Sequence, residues 1–125
     1  MPVGLARLKK RADFLRVAAV RRKWAAPGLI LQAAPASEPT PDDTVRVGFT
    51  VSKKVGNAVT RNRAKRRLRA AVDRVFPDNA RAGLDYVVIG RQETPARPWD
   101  LLVQDLKQAL KRVGGLKEAD AQGEA

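Results

Sequence analysis

The sequence has no cysteine and no histidine. The first absence excludes disulfides, thiolate nucleophiles and cysteine-ligated zinc. The second removes the commonest general acid or base. Aromatic residues are scarce: three Phe, two Trp and one Tyr in 125 residues, so each becomes a candidate for a specific task. No apolar run approaches the roughly 20 residues of a membrane-spanning helix, and the opening MPVGLARLKKRADF has no long apolar h-region. A cytoplasmic location is expected. Acidic residues are few, 13 against 25 Lys and Arg, for a net charge of +12 and a pI near 11.1. That imbalance is the electrostatic footprint of a polyanion binder, with nucleic acid favoured over a membrane or a small-molecule substrate. The acids are scattered, with no pair at metal-ligand spacing, so neither catalytic residues nor a metal site are expected in the chain itself.

What is present reads as one domain over residues 1–115, mixing helices and strands, with 116–125 as a disordered tail. Residues 11–23 place Phe14, Val17, Ala18 and Val20 at helical intervals among arginines, and Pro27-Gly28 ends that helix. Residues 29–34 form an apolar strand. APASEPTPDD, residues 34–43, is a Pro-rich acidic connector in which Asp42 and Asp43 serve solubility. Val45, Val47, Phe49 and Val51 alternate with polar or small residues as a half-buried strand. A second helix runs over 58–75, with Ala64, Leu68, Ala71, Val72 and Val75 on one arc and Pro77 as its stop. LDYVVIG, residues 84–90, suits a central strand. Trp99, Leu102, Val103, Leu106 and Leu110 line a third helix closed by Gly114-Gly115. Trp24 and Trp99 are expected to be packing residues, although Trp24 also suits a surface role.

The charge is concentrated. Residues 1–23 hold eight basic residues and one acid; residues 53–74 hold nine and one. On the second helix Arg61, Lys65 and Arg69 stand at i, i+4 and i+8, with Asn62 and Arg66 as a ridge beside them. Cations one turn apart, about 6 Å, match the order of spacing between successive phosphates. Ahead of them Lys53 and Lys54 leave a strand, and Val55-Gly56-Asn57 makes a tight turn that uses glycine's conformational freedom.

The stretch SKKVGNAVTRNRAKRRLR, residues 52–69, resembles the signature of the bacterial ribonuclease P protein family, and LKKRADF, residues 8–14, is similar to the family's first helix entry. The resemblance extends to about residue 113, outside the Pro-rich connector. It implies an α+β fold: a mixed four-stranded sheet with three helices in a two-layer sandwich, like the second domain of ribosomal protein S5. It also implies a left-handed βαβ crossover, a hand seen in only about 2% of such connections.

The implied function is that of an RNA-binding subunit. The partner ribonuclease P RNA, using Mg²⁺, removes the 5′ leader from precursor tRNA, while the protein stabilises that RNA and grips the leader. The resemblance assigns Lys53, Lys54, Asn57, Arg61, Asn62, Arg63, Lys65, Arg66 and Arg69 to RNA. It assigns Phe14, Gln32 and Thr50 to a leader cleft between the first helix and the sheet. Ala18 and Gln32 depart from the family's frequent aromatic residues, so weaker base stacking is expected there. A basic structural RNA-binding protein of the ribosomal type is the alternative; it accounts for the charge but not the motif. A double-stranded DNA binder is weaker still, because no helix-turn-helix spacing precedes the basic helix.

Overall fold

Alternating and helical hydrophobic patterns become, in the computed structural model, β1 (Gly4–Arg7), α1 (Arg11–Val20), β2 (Lys23–Ala25), β3 (Leu29–Pro35), β4 (Thr44–Thr50), a single 3-10 turn (Lys53–Val55), α2 (Ala58–Asn79), β5 (Leu84–Gly90) and α3 (Trp99–Arg112). The structure describes residues 2–38 and 43–117. The strands form one mixed sheet in the order β1-β4-β5-β3-β2. β4 pairs in parallel with both β1 and β5, while β3 pairs antiparallel with β5 and β2. β5 is the central strand, as its unbroken apolar character requires, and β4-α2-β5 is a parallel crossover.

Strand alternation divides the side chains between two faces. Leu29, Leu31 and Ala33 of β3, Val45 and Val47 of β4, and Tyr86 and Val88 of β5 point into the main core. There they meet Leu68, Ala71, Val72, Val75 and Phe76 of α2, and Leu102, Leu106 and Leu110 of α3. The opposite face carries a smaller cluster of Leu8, Val17, Ala34 and Val87, with Phe14 and Ile89 against it. α1 therefore covers part of the second face, so the two-layer expectation gains a partial third layer.

Five strands stand where four were expected. β1 lacks a period-2 signal, and its four residues become a strand by pairing Leu5 with Val45 and Arg7 with Val47. The first helix was expected to reach residue 23 but stops at Val20, because Arg21 turns into the left-handed region at φ 63°. Lys23–Ala25 instead pairs with β3, Trp24 opposite Leu31. Pro77 does not end α2, which continues to Asn79. Its carbonyl accepts from Val3 N at 2.7 Å and from Lys117 Nζ at 2.9 Å, and Asn79 Nδ2 donates to Val75 O at 2.7 Å, so contacts from both ends of the chain support the last turn. Leu116 and Lys117, assigned to the tail, pair with Ala80 and Asn79. Residues 118–125 of that tail, and 39–42 of the connector, lie outside the described residues.

One polar lock fixes α1 to the sheet. Asp85 of β5 is fully buried on the α1 face. Arg46 of β4 donates to it twice, Nε to Oδ1 at 2.8 Å and Nη2 to Oδ2 at 2.7 Å, and Arg16 of α1 donates to the same Oδ2. The hydrogen bonds to Asp85 raise the Arg46 pKa above the ordinary arginine value, so the guanidinium stays charged. Arg16 also reaches the Pro35 carbonyl at 2.9 Å. Among the described residues no helix is long and apolar enough to cross a membrane.

Candidate nucleic-acid interface

The basic helix begins at a built turn. Gly56 has φ 153°, and a β-carbon there would lie 2.8 Å from Thr60 Cγ2, so only glycine fits. Asn57 then caps α2, its Oδ1 accepting from Thr60 N at 2.9 Å. That oxygen is committed to the fold, and Asn57 acts here by ordering the turn that carries exposed Lys53 and Lys54.

Ala64, Leu68, Ala71, Val72 and Val75 bury one stripe of α2, which leaves its cations on the remaining surface. Lys65 and Arg69 of one ridge and Asn62 and Arg66 of the next enclose a groove of about 550 Å³. Arg61 stands apart from it, half-buried, with Nε lacking a hydrogen-bond partner. Arg69 carries its guanidinium 5.9 Å from the Phe49 ring, and Arg7 lies 5.2 Å from the same ring. Phe49 thus links the helix ridge to the sheet edge through cation–π contacts, which no spacing rule signalled. Arg63 faces a different flank, towards Trp99. Arg67, never assigned to RNA, donates to the Thr94 carbonyl at 2.7 Å and to that of Arg97, so it holds the segment before α3.

Phe14, Gln32 and Thr50, 36 residues apart in sequence at the extremes, line one open cleft of about 460 Å³. Val87 and Ile89 of β5 also line it, with Arg11, Leu15 and Ala18 of α1 and Lys9 just ahead of that helix. Alternation puts Gln32, Thr50, Val87 and Ile89 on the same sheet face. The position of Phe14 follows from a missing side chain. A β-carbon on Gly48 would lie 2.6 Å from Phe14 Cζ, so the ring edge rests on the bare backbone of β4. Phe14 is therefore half-buried: it packs against Leu8 and Val17 while also lining the cleft. Lys9 and Arg11 were not named as cleft residues, although the quoted LKKRADF contained them.

Several cations of the first basic segment serve the fold. Arg16 is held by Asp85, and Arg22 donates to the Val113 and Gly114 carbonyls at the end of α3. Neither tryptophan is enclosed by the core: Trp24 is 37% exposed with Arg112 5.0 Å from its ring, and Trp99 is 38% exposed. The packing expectation thus fails in part. A side chain on an edge strand, or on the first residue of a helix, has neighbours on fewer sides.

The family model for ribonuclease P matches residues 4–114. The chain is 71% identical over 122 residues to the ribonuclease P protein component of Paramagnetospirillum magneticum, covering 97% of this chain and 92% of the relative. It is 50% identical over 111 residues to that of Ruegeria pomeroyi, covering 88% and 87%. The Staphylococcus aureus RNase P protein superposes with a TM-score of 0.73 at 32% identity, covering 89% of this chain and 97% of that one. The Thermotoga maritima RNase P protein gives 0.69 at 26%, covering 85% and 96%. With the basic helix α2 that carries Arg61-Asn62-Arg63, its glycine turn and the α1 cleft all in place, the chain belongs to the ribonuclease P protein family, the RNA-binding subunits of a tRNA-processing ribonucleoprotein.

Proposed function

We propose that this subunit divides two RNAs between two surfaces: the ribonuclease P RNA lies along the basic side of α2, and the 5′ leader of precursor tRNA lies in the cleft under α1. The observation that carries this reading is the convergence of Phe14, Gln32 and Thr50 on one cleft that also has Lys9 and Arg11 beside it. An aromatic ring, two hydrogen-bonding side chains and two cations are what a single strand needs: stacking, polar contact and phosphate neutralisation. The α2 cations Lys65, Arg66 and Arg69, with Lys53 and Lys54, supply phosphate contacts that position RNA without reading its sequence. Such contacts let one protein serve many precursors.

Phosphodiester hydrolysis belongs to the partner RNA in this reading. The two buried carboxylates among the described residues serve the fold, Asp85 held by Arg16 and Arg46, Asp105 by Arg97 and the Gly28 amide. No step is assigned to a protein side chain. The compartment is the cytoplasm, where precursor tRNA is made in a bacterium.

The test is reconstitution of the full chain with a bacterial ribonuclease P RNA at low Mg²⁺. Adding the protein should restore 5′ maturation, and the complex should bind precursor tRNA more tightly than mature tRNA. Maturation without any preference for the leader-bearing substrate would remove the cleft from the reading. Unchanged RNA affinity in the double variant Arg66→Ala with Arg69→Ala would remove the α2 surface.

A further inference from the structure

The basic side of α2 continues past the groove between its ridges. Arg66 also lines a second hollow of about 420 Å³, together with Arg63, Arg67, Ala70, Pro95 and Trp99. The rim facing α2 is fixed. Arg67 ties the carbonyls of Thr94 and Arg97 to the helix. Thr94 is buried, donating from Oγ1 to Gly28 O at 2.7 Å and accepting from Arg91 N at 2.7 Å. Pro95 and Trp99 therefore flank or follow a segment anchored at several points.

Trp99 opens α3 on the same stripe as Leu102 and Leu106, yet those two are fully buried and Trp99 is 38% exposed. The side chains of Arg63 and Arg66 make no hydrogen bond or ion pair among the described residues. An open indole on a held backbone, beside two unengaged guanidiniums, matches the chemistry of an unpaired nucleotide: a base to stack and phosphates to neutralise. A peptide partner would have to supply an aromatic or apolar group and acids at the same spacing.

We infer that this hollow receives an unpaired nucleotide of the ribonuclease P RNA, its base against Trp99 and its flanking phosphates on Arg63 and Arg66. The inference rests on the reading of α2 as the surface for that RNA, and it extends the surface to the start of α3. The leader is not the occupant: its cleft lies across the sheet, under α1, and the two hollows share no residue.

The chain has two tryptophans, so the variant Trp24→Phe leaves Trp99 as the sole indole emitter. Saturating that full-length variant with a bacterial ribonuclease P RNA should quench its emission, while a single-stranded leader oligonucleotide should not. Trp99→Leu, which keeps apolar bulk without a π face, should weaken ribonuclease P RNA binding by about 5- to 100-fold with an unchanged salt slope. Trp99→Tyr should restore most of the affinity. Arg63→Ala with Arg66→Ala should weaken binding and make the salt slope shallower by about two. Unquenched emission together with wild-type affinity of Trp99→Leu would overturn the inference, and quenching by the leader oligonucleotide alone would overturn the choice of RNA. If Arg66→Ala with Arg69→Ala binds as tightly as the parent, the reading of α2 itself fails. If that variant weakens and the Trp99 variants do not, only the hollow is misassigned.

Discussion

The two faces of the sheet are built on different principles. Under α2 and α3 lies a broad apolar core in which Leu68, Phe76, Leu102 and Leu106 are fully buried against three strands. Under α1 the apolar cluster is small, and the helix is held as much by the Asp85–Arg16–Arg46 lock as by Val17 and Leu8. The consequence is functional. A face packed tightly by long helices has no room for a strand of RNA, whereas a short helix held near its middle by the charge of Arg16 leaves an open cleft beside it. The same residue type has opposite roles across the sheet: Arg16 and Arg46 are consumed by a buried carboxylate, while Arg66 on α2 makes no ion pair among the described residues.

The contrast breaks most sharply in the large core. Leu68→Ala should cost about 3 to 4 kcal/mol, the middle of the range for a buried leucine, against about 2 kcal/mol for Val17→Ala on the other face. Urea unfolding measures both. Equal losses would mean the two clusters contribute alike. Next in size is Asp85→Asn, which leaves two guanidiniums facing an uncharged group. Removing one partner of a buried ion pair costs roughly 3 to 5 kcal/mol, and the lower end applies because the side chains of Arg46 and Arg16 remain 16% and 29% exposed. Amide hydrogen exchange should speed up in α1 and stay slow in the middle of α2.

Phe14→Ala sharpens the comparison from the functional side. A ring that only filled a core would cost roughly 3 to 5 kcal/mol of stability. A half-buried ring at the cleft should cost less in folding and should lose roughly 1 to 3 kcal/mol of leader binding. Thermal unfolding paired with affinities for precursor tRNA with and without its leader separates the two contributions. An easily unfolded variant with full leader discrimination would place Phe14 in the core alone.

The smallest effect is at Tyr86, in the large core. Its hydroxyl donates to Arg81 O at 3.1 Å or Gly115 O at 3.3 Å, so Tyr86→Phe should cost about 1 kcal/mol near neutral pH. Burial pushes the phenol pKa well above its usual value near 10.0. An acid with a raised folded pKa holds its proton more tightly when folded. Its contribution is complete below pH 10 or so and declines as the pH climbs above that point, where the unfolded phenol ionises. The gap between parent and Tyr86→Phe should therefore narrow or reverse in strong alkali, and a constant gap would argue against it.

Elements whose cause is local were legible in advance. The five apolar positions of α2 repeat at helical intervals and are all buried, and the glycine turn before them needs φ above zero whatever surrounds it. The alternation of β4 separates Thr50 from core-facing Val45 and Val47, whereas the grouping of Thr50 with Phe14 and Gln32 came from the family resemblance. What misled was also local. Pro77 reads as a stop because it lacks an amide proton, yet Val3 and Lys117 bond to its carbonyl within a supported last turn. β1 and β2 are too short to announce themselves, and each exists because a neighbour pairs with it.

The order of residues by itself determined the charge, the helical and strand periods, the Gly56 turn with the basic ridges after it, and therefore the family and its RNA-binding class, since each depends on neighbours a few positions apart. Only the tertiary structure decided which cations are free to meet RNA. Arg16 meets Asp85 across 69 residues and Arg22 meets Val113 across 91, and Phe14 settles at the cleft because Gly48 leaves space for its ring. A guanidinium is equally charged on a solvated ridge or beside a buried carboxylate. Its use depends on what the folded chain brings within about 3 Å, and no spacing along the sequence encodes that distance.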